Sequence, residues 1–292
     1  RWRNLAALIN QLAMILIADA GGTTTRWARV VDGNFDGECS TQGINPVIMS
    51  FDEVLKRFET EVRPLVAEEM PESIYFYGAG CAGSVGEMVA DHLKRITGCP
   101  DVTVNSDLVA AARSLCGHQP GIACILGTGS NSCLYDGEKI VFSQPSMGYV
   151  LGDEGSGAVI GRRFLSNLYK NLFEDDLFQC FLEIYHYSIY DIYRKVYREP
   201  EPNRFLAGFM PFIRRLIDGG WRQVEDLVID EFTNFAERNL TAYEIPAGQP
   251  VHFTGSVAFY FFNELRTALN RCGFTLGKVT ADPLGGLIDY HS

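Results

Sequence analysis

The amino-acid sequence predicts an α/β protein built from two related halves, and three observations carry that expectation. Apolar runs and helical periodicities follow one another in the order βββαβαβ between Met14 and Val104. The hairpin that opens this pattern is echoed after Ile122. Each half thus begins with an apolar strand, a Gly/Thr/Ser turn and a second strand that ends in Asp-Gly. A chain of 292 residues with 47% hydrophobic content is also long and apolar enough for two ordinary cores.

The block Met-Ile-Leu-Ile-Ala reads as a buried strand over 15–18 that passes into a glycine-rich turn. A second strand over 26–31 ends at Asp32-Gly33, a pair suited to the left-handed backbone of a tight hairpin, and a third short strand continues toward Ser40. Ser50 with Glu53 is a capping-box signature. It opens a helix to about Glu69 that Pro64 bends or interrupts. A buried strand follows over 74–77. Ser84 with Glu87 repeats the capping pattern ahead of a helix that reaches Ile96, and 102–104 makes another strand.

A short helix runs from Asp107 through Leu115. The second half restarts with a strand over 122–126, the turn Gly127-Thr128-Gly129-Ser130, a strand over 132–135 and Asp136-Gly137. From about Gly157 to Tyr243 the pattern is mainly helical and rich in Phe and Tyr, which predicts plain core packing and no chemistry. A strand over 251–254, a helix over 256–271 and a strand over 278–280 precede Pro283 and Gly285-Gly286.

Composition removes several classes of function. A net charge of −11 with no basic stripe argues against a nucleic-acid binder, whose affinity depends on neutralising phosphates. No stretch approaches the ~20 apolar residues of a membrane span. The eight cysteines include no C-x-x-C and no Cys/His block with metal-ligand spacing, so reduced thiols are expected. Arg1-Trp2-Arg3 ahead of an apolar stretch, with Ala18-Asp19-Ala20 beyond it, imitates an export signal. Asn10 and Gln11 break that run, and the preferred reading takes Met14 as the natural start, residues 1–13 as an upstream extension and the protein as cytoplasmic.

Chemistry is concentrated in the two turns. A strand ending in Asp19 and entering Gly21-Gly22-Thr23-Thr24 places a carboxylate beside backbone amides that can converge on one point, which suits magnesium and a polyphosphate. An ordinary hairpin turn is the alternative, and no Walker-type lysine is present. The turn Gly127-Thr128-Gly129-Ser130 has the same character. Two such loops, each between paired strands, exceed what turn chemistry needs, because a tight turn usually asks for one glycine. Gly255-Ser256 opens a helix directly after a strand, where backbone can come close to a ligand. Asp107 starts a helix after Ser106 and could be a cap. Asp153 and Glu154 could serve a helix dipole, and Asn45 before Pro46 could be a turn residue.

These segments together resemble the N-acetylglucosamine kinases and their BadF-type ATPase relatives in the actin-like ATPase and sugar-kinase superfamily. The resemblance runs from Ile15 to Leu287 through Asp19-x-Gly-Gly-Thr, Gly43-Ile-Asn45, Asn105-Ser-Asp107, Leu126-Gly-Thr-Gly-Ser-Asn131, Gly152-Asp-Glu-Gly-Ser156, Thr254-Gly-Ser-Val257 and Pro283-Leu-Gly-Gly286. Ala20 departs from the glycine common at that position in the family, and Thr24 from a longer polar or basic residue. The resemblance implies two ribonuclease H-like domains of the actin-like ATPase type with a cleft between them. The first would span 14–106, with 284–292 returning to it; the second, 107–283, would carry a helical insertion.

The same resemblance implies transfer of phosphate from ATP to an amino-sugar such as N-acetylglucosamine, at its 6-hydroxyl. Asp107 would be the base. Asn45, Asp107, Thr128 and Asp153 would contact the sugar. Asp19 would hold Mg²⁺ through water; Gly21, Gly22, Thr23 and Thr24, with Gly127, Thr128, Gly129 and Ser130, would form the two phosphate loops, and Gly255 and Ser256 would line the adenosine pocket. The expected partner is a small-molecule amino-sugar, with neither nucleic acid nor membrane, and a homodimer is the oligomer considered. Two alternatives remain at this point. One is a BadF-type activator of a dehydratase or reductase, whose iron–sulfur cluster needs cysteine thiolates and of which Cys81-Ala82-Gly83 is only a faint echo. The other is a non-catalytic nucleotide or sugar sensor.

Overall fold

A computed structural model describes residues 13–21, 24–46, 49–66, 69–173, 175–246 and 248–292. The chain divides into two compact units. The first holds the described residues up to His118 together with Pro283–Ser292, and the second is Gln119–Asp282. The extension at 1–12 lies outside the described residues.

The first unit is a five-stranded sheet in the order β3-β2-β1-β4-β5. Strands β1 (Met14–Ala20), β2 (Thr24–Val31) and β3 (Asn34–Gln42) form the antiparallel meander. Its tip is the two-residue Asp32-Gly33 turn, with φ of 48° and 75°, the left-handed pair that matches the twist of a hairpin. Strands β4 (Ser73–Gly78) and β5 (Asp101–Ser106) add in parallel.

Ser50 and Glu53 complete the capping box of α1 (Phe51–Arg57). The chain then widens into a π turn, Phe58–Val62, and tightens into a 3₁₀ turn, Arg63–Val66, because Pro64 has no N–H to continue an α-helix and its ring crowds the preceding turn. Phe58 and Trp27 pack on Phe76 of β4 with ring centroids 5.6 and 5.9 Å apart, forming the core on this face.

Helix α2 (Gly83–Thr97) corrects one expectation. Ser84 is not its cap: the helix begins a residue earlier, after extended Ala82, with no side-chain cap. Gly83 makes the entry at φ +54°, and Gly86 brings the first turn against the Cys81 backbone, so close packing and not a hydroxyl fixes this end. Helix α3 (Asp107–Cys116) is capped by the Ser106 hydroxyl, which accepts the Val109 N–H at 3.3 Å.

The resemblance puts the boundary between domains at Asp107, whereas packing keeps α3 with the first sheet, in the unit that runs to His118. The reason is the C-terminal helix, Leu284–His291, which lies on α3. A Cβ on Gly286 would overlap the carbonyl of Ser114. Gly285 and Gly286 therefore sit inside a helix turn, and Gly286 permits a close helix contact. At its far end the Tyr77 hydroxyl pairs with His291 Nε2 at 2.7 Å and accepts from Arg113 Nη1 at 2.8 Å.

The second unit repeats the topology. Strands β6 (Gly121–Leu126), β7 (Ser130–Tyr135) and β8 (Ile140–Gln144) form a meander; β9 (Pro250–Thr254) and β10 (Thr275–Thr280) add in parallel, giving the order β8-β7-β6-β9-β10. Counted within each unit, both sheets read third, second, first, fourth, fifth. The echo of hairpins in the sequence is thus an echo of whole sheets, the mixed α/β pair of the actin-like ATPase fold.

Between β8 and β9 run α4 (Gly148–Leu151), α5 (Gly157–Tyr169), α6 (Asp175–Tyr185), α7 (Ile189–Tyr197), α8 (Pro202–Ala207), α9 (Met210–Asp218) and α10 (Arg222–Asn239). Their aromatic residues form a core around Phe164, Phe181, Phe209 and Phe212. The helix expected over 256–271 is broken into α11 (Ser256–Tyr260) and α12 (Phe262–Arg271). Neither Gly nor Pro marks the break. Phe261 leaves helical geometry (φ −112°, ψ 35°) to bury its ring, and that packing overrides the helical period. The C-terminal helix is α13.

None of the eight cysteines is joined in a disulfide. Among the described residues no helix is long and apolar enough to cross a membrane, and no cluster of three or more His, Cys, Asp or Glu could hold a metal.

Candidate functional site

Each sheet gathers its chemistry on one edge. In the first unit Asp19, Tyr77 and Asn105 lie in one register row, and Ala20, Gly78 and Ser106 in the next. β1, β4 and β5 are parallel, so Asp19 and Asp107 both emerge at their carboxyl ends, two strand spacings apart, or about 10 Å. β3 runs in the same direction as β1, and half-buried Asn45 follows it past Gln42 at that edge.

The loop after β1 is closed by Gly21, whose N–H donates to the Thr24 carbonyl at 3.0 Å. Gly22 and Thr23 lie outside the described residues. Exposed Thr24 begins β2.

Asp107 does not cap α3, because Ser106 does so. Its Oδ1 accepts the Leu108 N–H at 2.9 Å. Burial pushes its carboxyl up from the ordinary range, opposed by the N–H groups of Leu108 and of Asp107 itself. This is the behaviour of a carboxylate able to take a proton. Cys81 is wholly buried, and burial, aided by the Asp107 charge, pushes its thiol up to about 12. An iron–sulfur ligand needs an accessible thiolate, so Cys81 fits that role poorly.

In the second unit the loop Gly127-Thr128-Gly129 leaves β6. The Gly127 N–H donates to the Gly129 carbonyl at 3.0 Å, and the N–H groups of Gly157 and Ala158, at the start of α5, donate to the carbonyls of Gly127 and Thr128 at 2.8 and 3.1 Å. The helix thereby fixes the loop from behind.

Asp153 meets the same loop. Its backbone is left-handed (φ +51°), and its Oδ2 lies 3.1 Å from where a Cβ on Gly129 would be. Burial raises its carboxyl to about 6, opposed by the Ser130 backbone N–H and assisted by the Glu154 charge. Capping of α5 falls to Ser156, and Glu154 is drawn away by Arg238 at 2.6 Å, so Asp153 alone of the two is turned to the loop.

Gly255 follows β9 at φ +118°. A Cβ there would overlap the carbonyl of Leu126, so only glycine allows the chain to enter α11 this close to the loop. Ser256 is the first helical residue and supplies no cap bond.

Gly127, Thr128 and Ser256 open onto a cavity of about 660 Å³, within the usual range of small-ligand sites. Its other walls come from Met210, Arg214 and Arg215 of α9 and from Tyr260 of α11. Sequence reasoning missed these. Met210, Arg214 and Arg215 belong to the helical stretch whose aromatic pattern announces a core, Tyr260 to the helix expected over 256–271, and nothing in the periodicity separates a pocket-facing side chain from a solvated one. A polyphosphate with hydrated Mg²⁺ is compatible with the donor set, since magnesium keeps several waters and needs one or two carboxylates; Asp19 is the carboxylate beside the first loop.

No protein-family model matches the chain, and no curated protein matches it. Among solved structures, a proposed N-acetylglucosamine kinase from Porphyromonas gingivalis is 43% identical with a TM-score of 0.91, covering 95% of this chain and 98% of that one. A protein from Chromobacterium violaceum with the same proposed activity is 18% identical with a TM-score of 0.72, over 97% of this chain and 100% of that one. A proposed N-acetylmannosamine kinase from Listeria monocytogenes is 15% identical with a TM-score of 0.52, over 95% and 97%. At those two lower identities the likeness concerns the fold alone.

Proposed function

We propose that this chain, which belongs to the sugar-kinase family of the actin-like ATPase fold, transfers the γ-phosphate of Mg-ATP to the 6-hydroxyl of N-acetylglucosamine or a related amino-sugar. The observation that carries the reading is the 43% identity and near-complete mutual coverage with the Porphyromonas gingivalis protein, whose proposed activity is that of an N-acetylglucosamine kinase. The cavity beside the Gly127–Thr128 loop supports nucleotide use independently.

In the proposed mechanism Asp107 orients the sugar hydroxyl and accepts its proton as the new O–P bond forms and the bond from the γ-phosphorus to the β-γ bridging oxygen breaks, leaving ADP. Asn45 and Asp153 hold the ring hydroxyls or the N-acetyl group, and Thr128 reaches both sugar and nucleotide. Gly21, Gly22, Thr23 and Thr24 grip the phosphates in one loop, Gly127, Thr128, Gly129 and Ser130 in the other, while Gly255 and Ser256 line the adenosine pocket. Asp19 would hold magnesium through water, and the ion would supply charge neutralisation at the phosphates. A cytoplasmic location and a homodimer complete the proposal.

The test is a panel of amino-sugars with ATP and magnesium, scored by ADP release and by the mass of the product. N-acetylglucosamine or a close N-acetyl hexosamine should be phosphorylated best. Turnover confined to sugars without an amino group would overturn the acceptor assignment.

A further inference from the structure

The cavity has a loop end and a far end, and the far end carries a chemistry that the loops do not explain. At the loop end, a Cβ on Gly157 would sit 3.3 Å from the Gly127 carbonyl, 3.2 Å from Ala207 and 3.1 Å from Met210, so α9 starts beside the loop. On the other wall, Gly255 holds the start of α11 against Leu126 and Gly127. Arg215 and Tyr260 lie more than a helical turn further on, about 6–8 Å from that end at 1.5 Å per residue.

The two neighbouring arginines have different duties. Arg214 is committed to the wall. It binds Asp218 and buried Glu264, both at 2.9 Å, donates to the Tyr260 carbonyl at 3.3 Å and covers the Phe261 ring at 5.0 Å. Arg215 also lines the cavity, but it has no ion pair among the described residues, and its guanidinium rests 5.9 Å from the centroid of the Phe212 ring. Tyr260, on the other helix, is 63% exposed. A planar cation and an aromatic ring are thus presented at the far end of one cavity, the pairing that takes an aromatic ligand by its faces. Among the described residues that line the cavity, none carries a carboxylate or carboxamide side chain. Such a group is the ordinary means of reading an amino group by paired hydrogen bonds, and strong rejection of an analogue depends on that kind of contact.

We infer that Arg215 and Tyr260 take the nucleobase of the phosphoryl donor by stacking, so that the site accepts adenine, hypoxanthine and guanine nucleotides with little discrimination. This rests on the reading of the cavity as the nucleotide site and deepens it. Arg215 is a specificity-determining residue in this scheme, acting on the base and not on the phosphates.

The experiment is calorimetric titration of the full chain and of Arg215→Ala, Arg215→Lys and Tyr260→Ala with ATP, ITP, GTP and adenosine. The expected result is that the three triphosphates bind the unaltered chain within about tenfold of one another. Arg215→Ala should weaken ATP and adenosine by the same factor, on the order of 5- to 30-fold. Lysine, which keeps the charge but not the planar fork, should not restore binding. A preference for ATP above about 100-fold would overturn the inference, as would a loss for ATP that adenosine does not share or full rescue by lysine. Failure of the unaltered chain to bind any nucleotide would instead remove the nucleotide reading itself, and that result is visible before any substitution is made.

Discussion

Replacing Asp107 by asparagine separates catalysis from structure at one atom. The substitution keeps the size of the side chain and an acceptor for the Leu108 N–H, now made at 2.9 Å, and it leaves Ser106 in place as the cap of α3. The helix should therefore be undisturbed. What disappears is the ability to take a proton, which in general base catalysis is worth on the order of 10²–10⁴ in rate.

Stability should move the other way. Burial raises the Asp107 carboxyl above its usual 3.8, so its ionisation costs the folded state nothing below that value and progressively more as pH rises through the folded pKa. Asparagine removes this cost at pH 7–8, and the melting temperature should hold or rise. Steady-state kinetics with N-acetylglucosamine, nucleotide titration and thermal unfolding on the same preparation give all three quantities. A fall in kcat of about 10²-fold or more, with nucleotide affinity retained and no loss of stability, is the expected result, although slow ATP hydrolysis can persist because alignment and charge stabilisation supply most of phosphoryl-transfer catalysis. Near-normal sugar turnover would refute the role of Asp107.

Gly255→Ala forces a Cβ into the Leu126 carbonyl at a left-handed backbone position and should cost about 2–4 kcal/mol of stability together with nucleotide binding, as read by urea unfolding and calorimetry. His291 is pushed down to about 4, chiefly by burial, then by Arg113 and His118, so its neutral form belongs to the fold; its stabilising contribution is complete above about 6.5 and is lost as pH falls toward 4. His291→Gln should accordingly flatten the decline in melting temperature across that window. Asp153, raised to about 6, should give the pH profile of kcat/KM for the sugar a rising flank near that value, which Asp153→Asn removes while raising the KM for the sugar.

The sheets were the legible part of the fold. Alternation and the Asp32-Gly33 pair specify the first hairpin, since the turn needs left-handed backbone at both positions and strand register follows from it. The repeated Gly/Thr/Ser turn discloses the second sheet because the same topology places a loop at the same edge. Features settled by distant packing were not legible. Ser84 has the right spacing for a cap, yet Gly83 and Gly86 start α2 earlier against Cys81. Nothing local breaks the run 256–271; the buried Phe261 ring does so. The alliance of α3 with α13 depends on a contact at Gly286 far along the chain. In the candidate site, loop residues and carboxylates stand out because glycine and Asp are costly in the places they occupy. Arg215 and Tyr260 look like any exposed residues of a helical segment until α9 and α11 are seen to begin at the same loop.

The most direct test of phosphoryl transfer to a sugar follows the γ-phosphoryl group itself. ATP carrying ¹⁸O in that group, incubated with the full chain, magnesium and N-acetylglucosamine, should yield a sugar 6-phosphate that retains the label, formed one for one with ADP, as read by mass spectrometry and phosphorus NMR. Labelled inorganic phosphate released with ADP, with the sugar recovered unchanged, would contradict it.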